Sequence, residues 1–137
     1  MMINLSKRPI QVDQVIKTVE SAESGAINVF VGTVRNQTED KKVLRLEFEA
    51  YKKMALNEMK KICDVAVKRW PVIKISIVHA VGILQIDDIP VVIAVSTPHR
   101  KASFEACEFV IDELKKTVPI WKREFFEDGE VWVSAHP

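Results

Sequence analysis

The chain has 137 residues, of which 47% are hydrophobic and 28% charged, a composition typical of one soluble globular domain spanning residues 1–137. Its 20 basic residues nearly balance 19 acidic ones, and the formal charge of +1 excludes a global attraction to nucleic acid or to an anionic membrane. Residues 1–8 contain no apolar run long enough for a signal peptide, so we expect a cytoplasmic protein. Cys63 and Cys107 fall in helical patterns and are expected to be buried thiols.

The first part of the chain predicts a helix, a strand and a loop. Apolar residues recur at helical spacing in Gln11–Ser21, which predicts a short first helix. Gly25–Arg35 is rich in β-branched residues and predicts a strand with Arg35 at its end. The polar residues 36–40 that follow predict an exposed loop.

A half-buried strand and a long helix are predicted next. Apolar and charged residues alternate in Val43–Ala50, the pattern of a strand with one face packed and one face in solvent. The packed face is expected to carry Leu44, Leu46, Phe48 and Ala50. Lys52–Trp70 has apolar residues every three or four positions and predicts a long amphipathic helix that ends before Pro71.

The second half of the chain predicts three further elements and a hairpin. Lys74–Leu84 and Pro90–Thr97 predict two strands, and the second is apolar enough for the middle of a sheet. Ser103–Lys116 predicts a second long helix, and Trp121–Phe126 with Val131–Val133 predicts a terminal hairpin around an Asp-Gly turn. Together these elements predict a single-domain α+β fold in which one antiparallel or mixed sheet carries two long amphipathic helices and a short N-terminal helix.

Basic residues stand at the ends of the predicted elements. They are Arg35, His99, Arg100, Lys101, Lys115, Lys116, Lys122 and Arg123. If these ends converge, they form a local positive pocket suited to a small phosphate or carboxylate. Taken alone, Lys115 at a helix end favours a solvated surface group instead, because basic residues there interact with the helix dipole. His99 is as readily a structural imidazole as an acid or base, and His79, inside a strand pattern, is expected to be structural.

Lysine chemistry is a catalytic possibility that the residue types suggest. A lysine can act as base or nucleophile near neutral pH when burial or neighbouring cations lower its pKa, and Lys115 and Lys122 are candidates. The sequence contains no Ser-His-Asp arrangement, clustered metal ligands, P-loop or GxGxxG fingerprint, which argues against the common hydrolases, metalloenzymes and nucleotide-binding proteins.

Four segments resemble one known family, the large, catalytic subunits of molybdopterin synthase (MoaE). They are Phe30–Asn36, Leu46–Tyr51, His99-Arg100 and Lys115–Glu124. The resemblance runs from about Gly25 to Trp132, and the Val-Pro-Ile-Trp-Lys segment after a helix-end lysine is its most specific part. It implies an α/β hammerhead-like fold.

The resemblance implies an enzyme, a sulfurtransferase that converts cyclic pyranopterin monophosphate to molybdopterin. Two sulfurs would be added as a dithiolene, each from the C-terminal thiocarboxylate of a small ubiquitin-like subunit of the MoaD type that ends in Gly-Gly. No cofactor and no metal are implied. The implied assembly is a heterotetramer, in which a homodimer of this chain carries one small subunit at each far end.

The resemblance also implies roles for individual residues. Lys115 would lie near the arriving thiocarboxylate, and Lys122 would activate or hold the pterin. The other implied substrate-binding residues, some of them from a second protomer, are Thr33, Val34, Arg35, His99, Arg100, Arg123 and Glu124.

Two departures from the family pattern concern docking or dimerisation more than the lysines, and two other functions stay open beside the resemblance. Ala80 stands where the family usually has arginine, and Asp87-Asp88 replaces a usual Gly-Asp or Gly-Glu, which puts details of docking or dimerisation in doubt. One alternative is a non-catalytic module that binds a Gly-Gly tail or a small phosphorylated ligand. Another is an acyl or phosphoryl transferase, because a basic cluster specifies only an anion.

Overall fold

A computed structural model describes all of residues 1–137 and contains nine strands and three helices. The strands are β1 (Met2–Ser6), β2 (Ala26–Val31), β3 (Gln37–Thr38), β4 (Lys41–Ala50), β5 (Lys74–Ala80), β6 (Gly82–Gln85), β7 (Val91–Thr97), β8 (Ile120–Phe126) and β9 (Val131–Ser134). The helices are α1 (Val12–Val19), α2 (Lys52–Arg69) and α3 (Arg100–Thr117). None of the helices has the length and apolarity needed to cross a membrane.

The first sheet has the strand order β1-β5-β7-β2. β1 is parallel to β5, whereas the other neighbours are antiparallel. All seven residues of β7 are buried, so the prediction of a central strand from its apolar run is confirmed. α1 and α3 pack on this sheet, and α2 packs on α3 and β1. The two long helices are therefore confirmed, and the thiols of Cys63 and Cys107 are free and buried, as predicted.

A second, antiparallel sheet has the order β3-β4-β8-β9, with β6 paired along β4 as well. The prediction that one sheet carries every strand is therefore wrong, and so is the prediction of one continuous strand over Lys74–Leu84. Gly82 has a φ of +97°, a left-handed conformation that turns the chain out of β5 and into β6. Each strand then pairs in a different sheet.

The buried face of β4 differs from the predicted alternation at one residue. The pairing of β4 with β8 shifts register between Val43 and Arg45, which indicates a β-bulge. Val43 is 2% exposed, whereas Leu44, predicted to be buried, is 41% exposed. Beyond the bulge the alternation resumes, and the predicted burial of Leu46 and Phe48 is confirmed.

Two short pairings were not predicted. β1 is a short edge strand that pairs only with β5, a partner more than seventy residues away along the chain. Within the predicted loop 36–40, β3 forms a small hairpin with β4, and Glu39 and Asp40 make the turn at positive φ. The predicted C-terminal hairpin is confirmed as β8 and β9.

Candidate functional site

The C-terminal end of α3 and the start of β8 bring Lys115 and Lys122 to the same region. Lys115 lies in the last turn of α3, and only Val118 and Pro119 separate that helix from β8. The Tyr51 N–H donates to the Pro119 carbonyl at 3.2 Å, which ties this link to the end of β4. Side chains alternate along β8, and the face that packs inward carries Ile120, Lys122, Glu124 and Phe126.

Both lysines line one cavity of about 100 Å³. Its other polar lining side chains are Thr33 and His79, and Pro137 also reaches it. Its apolar lining consists of Phe30, Leu46, Phe48, Pro90, Val91, Ile111 and Leu114. An apolar wall lowers the local dielectric constant, so two ammonium groups here attract an anion more strongly than they would in open solvent.

Lys122 is held within this cavity by an acidic neighbour. Its side chain is 26% exposed, and its Nζ lies 3.8 Å from Oε1 of Glu124. The Thr38 hydroxyl donates to Oε2 of Glu124 at 2.7 Å, which fixes the carboxylate. Lys115 is exposed, and no ion pair of the chain involves it. The two lysines thus differ: one is half-buried and paired, and the other stands at the mouth.

His79 lies at the base of the cavity. Its Nδ1 donates to the Ala80 carbonyl at 2.7 Å, and Phe48 meets its ring edge-on at 5.1 Å between centroids. Burial lowers the pKa of His79 to about 4, with a further lowering from the Lys115 charge and an opposing effect of the bond to Ala80. The predicted structural placement fits this burial. Its position on the cavity was missed, because a histidine among the buried residues of a strand gives no sequence signal of what it faces.

Val34 and Arg35 lie beside a different concavity. The residue before them, Thr33, reaches the lysine cavity, whereas these two line an open depression of about 600 Å³ with Asp87. Arg35 is exposed and Val34 is buried. The chain therefore passes from one concavity to the next within three residues, and Arg35 stands close to, but outside, the lysine cavity.

His99 and Arg100 are not brought to the lysine cavity within one chain. Both are exposed at the N-terminal end of α3, whereas Lys115 is at its C-terminal end. Lys115 follows Arg100 by 15 residues, roughly 22 Å along a helix that rises about 1.5 Å per residue. One copy of the chain therefore does not bring all of the predicted site residues together.

Arg123 faces away from the cavity. It alternates with Lys122 along β8, and its Nη1 lies 2.7 Å from Oε1 of Glu49 and 3.2 Å from Oε1 of Glu47. The hydrogen bond to Glu49, with the charges of both carboxylates, raises the pKa of Arg123. The structure therefore separates Arg123 from Lys122 and Glu124, and its role in substrate binding stays a prediction.

Comparisons with known proteins agree with the resemblance in the sequence. Residues 5–117 match the family model described as MoaE protein. The chain is 46% identical over 130 residues to the molybdopterin synthase catalytic subunit of Bacillus subtilis, covering 95% of this chain and 83% of that one. It is 46% identical over 131 residues to the human protein of the same name, covering 96% and 70%. The crystal structure of molybdopterin synthase from Staphylococcus aureus superposes with a TM-score of 0.91 at 43% identity, covering 96% of each chain.

Proposed function

This chain belongs to the MoaE family, and from that premise we propose that it transfers two sulfurs to cyclic pyranopterin monophosphate, forming the dithiolene of molybdopterin. The relatives are named molybdopterin synthase catalytic subunits, and the chain is an enzyme of that family. The observation that carries the proposal is the convergence of Lys115 and Lys122, from a helix and a strand, on one small and largely apolar cavity.

The cavity suits the chemistry of a thiocarboxylate donor. A thiocarboxylate is an anion, and after it gives up its sulfur with oxygen from water in its place, it ends as a carboxylate, another anion. The Lys115 ammonium at the mouth can hold either one and stabilise the charge that develops between them. Lys122, fixed by Glu124 deeper inside, can orient the pterin.

The size of the cavity supports a small partner subunit with a Gly-Gly end. Glycine has no side chain, so a Gly-Gly segment can enter a space of about 100 Å³ that excludes larger residues. We therefore propose a ubiquitin-like sulfur carrier of the MoaD type as the partner. The pterin is larger than this space and would lie at its mouth, towards Thr33 and the neighbouring Arg35.

A homodimer of this chain would complete the site. Because Arg100 lies roughly 22 Å from Lys115 along one α3 helix, we propose that His99 and Arg100 are contributed by the second copy. Both are exposed and free to meet a partner. With one small subunit on each copy, the assembly is a heterotetramer.

The test is turnover in an assay that contains the thiocarboxylated partner and the pterin precursor, with the product measured by mass spectrometry. Lys115→Ala is expected to lose roughly 10²–10⁴-fold in turnover, the range typical of a residue that acts directly in the reaction. Lys122→Ala is also expected to impair turnover. The control is Lys68→Ala, an exposed lysine on α2 far from the cavity in sequence and outside its lining.

The dimer should be unchanged in all three variants, as judged by size-exclusion chromatography. Undiminished turnover by Lys115→Ala would remove the role proposed for this lysine. A fall in turnover by Lys68→Ala equal to that of Lys115→Ala would show that loss of positive charge, rather than position, is responsible.

A further inference from the structure

His79 has a part in the lysine cavity that goes beyond packing. We propose that His79 is a positioning residue for Lys115: its Nε2, unpaired in the structure, is available to accept a hydrogen bond from the Lys115 ammonium and so to hold that group over the cavity. The inference rests on the proposed function in that Lys115 is the group that meets the sulfur donor. The contact itself can be tested without the reaction.

The hydrogen bond at the other ring nitrogen determines what Nε2 can do. Nδ1 of His79 lies 2.7 Å from the Ala80 carbonyl oxygen. A carbonyl oxygen only accepts, so the proton of the neutral ring is on Nδ1, and Nε2 carries the lone pair. Every fully buried side-chain nitrogen or oxygen in the chain has a hydrogen-bond partner, whereas Nε2 of His79 makes no hydrogen bond. Nε2 is therefore not fully buried, and it is the part of the ring that faces the cavity.

The ring is also held in place and kept neutral. Phe48 packs edge-on against it with an interplanar angle of 76°. Burial and the positive charge of Lys115 both lower the pKa of His79, whereas the hydrogen bond to Ala80 raises it. The net lowering favours the unprotonated imidazole. The charged side chains that line the cavity with it are Lys115 from α3 and Lys122 from β8, and neither Asp nor Glu is among the lining residues. Nε2 is therefore a fixed acceptor among donors.

Lys115 is the donor that most needs this acceptor. Lys122 already has Glu124 at 3.8 Å, whereas Lys115 has no acidic partner and lies in an exposed last turn, where its side chain would otherwise extend into solvent. Lys115 and His79 line the same cavity of about 100 Å³, so the two groups are neighbours. An ammonium has three N–H donors, so one bond to Nε2 leaves two for an arriving anion.

Two substitutions separate the roles of the two ring nitrogens. The side-chain amide of asparagine reaches as far as Nδ1, whereas that of glutamine reaches as far as Nε2. His79→Asn should keep the bond to Ala80 and lose the contact to Lys115, with kcat lower by roughly tenfold or more and the pterin KM within about twofold. His79→Gln should retain more turnover than His79→Asn. Equal turnover in these two variants would contradict the proposal.

A measurement on the protein without substrates tests the contact directly. In a ¹⁵N NMR spectrum of the histidine rings, His79 should show the Nδ1–H form, and Lys115→Met should shift its Nε2 resonance. Lys116→Met is the matched control, because the neighbouring lysine does not line the cavity and should leave that resonance unchanged.

A proton on Nε2, or a His79 resonance that ignores Lys115→Met, would overturn the proposal even if the His79 variants fail to fold. If the resonance shifts while Lys115→Ala keeps full turnover, the contact stands and the proposed role of Lys115 in the reaction is the part that fails.

Discussion

The two sheets of this molecule differ in how completely their strands are buried. In the first sheet every residue of β7 is buried, and α1 and α3 both pack on that strand. In the second sheet β8 alternates between a packed face and a wet face, where Arg123 pairs with Glu47 and Glu49. The first sheet supplies a rigid apolar wall, and the second supplies charged side chains.

The lysine cavity lies where these two regions meet. The first sheet contributes His79 and Val91, whereas the second contributes Phe48 and Lys122. Lys115 comes from α3, the helix that packs on the first sheet and leads directly into β8 of the second. A charged group at this junction has apolar residues on one side, which exclude water and strengthen its attraction to an anion, and solvent on the other.

The largest difference between the regions should appear in stability. Ile93 in β7 is fully buried between Ile77 and Phe30, and Ile93→Ala should lower the free energy of unfolding by about 2–5 kcal/mol. Val133 on β9 is 64% exposed, and Val133→Ala should change it by less than about 0.5 kcal/mol. Urea denaturation followed by circular dichroism measures both. Similar losses at the two positions would mean that the sheets are equally packed.

A smaller effect should come from pH, through the buried imidazole of the first sheet. The pKa of His79 is about 4 in the folded chain, against an ordinary value of 6.5, so between these values the unfolded chain binds the extra proton. This contribution to the unfolding free energy is complete above pH 6.5 and falls as the pH is lowered towards 4, by about 3 kcal/mol at most.

Denaturation midpoints across this pH range measure that loss. The comparison is His79→Gln, which has no titrating ring and should show a flatter dependence between pH 6.5 and 4. An identical pH dependence in both proteins would show that other groups, and not His79, cause the acid destabilisation.

The smallest effect should come from the residue that joins the two sheets. A Cβ added at Gly82 meets nothing within 4 Å, so Gly82→Ala should cost only the strain of a positive φ, roughly 1–2 kcal/mol. Gly129→Ala, at a φ of +89° in equally open space, should cost a similar amount. Only the substitution at Gly82 should also change the His79 NMR resonances, because Gly82 follows β5. Unchanged stability of both variants would contradict the expected strain.

Much of this fold was predictable from local patterns. The two long helices and the central β7 were predicted because periodicity and apolar runs are properties of contiguous residues. The division into two sheets was not, because it depends on β6 pairing with β4 rather than continuing β5. The exposed Leu44 was missed for a similar reason: a bulge shifts the alternation, and its position depends on the partner strand.

The candidate site was predictable in part. Local chemistry made Lys115 and Lys122 members of one possible positive pocket but favoured a solvated Lys115 taken alone, and the resemblance reversed that preference. The sequence could not separate Lys122 from Arg123, because a strand turns adjacent residues to opposite faces and the pairing partner decides which face is which. The sequence indicated that His79 is buried but not that it lines the cavity, because its position there depends on how Phe48 and Lys115 converge in space.

The link between α3 and β8 determines which cation the cavity receives. Because Val118 and Pro119 are the whole connection, and the Pro119 carbonyl is tied to Tyr51, the register of β8 has no slack. A deletion of one residue here would turn Lys122 outward and place Arg123 at the inward position that Lys122 now holds. The cavity would keep its positive charge but would hold a planar guanidinium with a fixed fork of donors in place of a compact ammonium on a flexible stem.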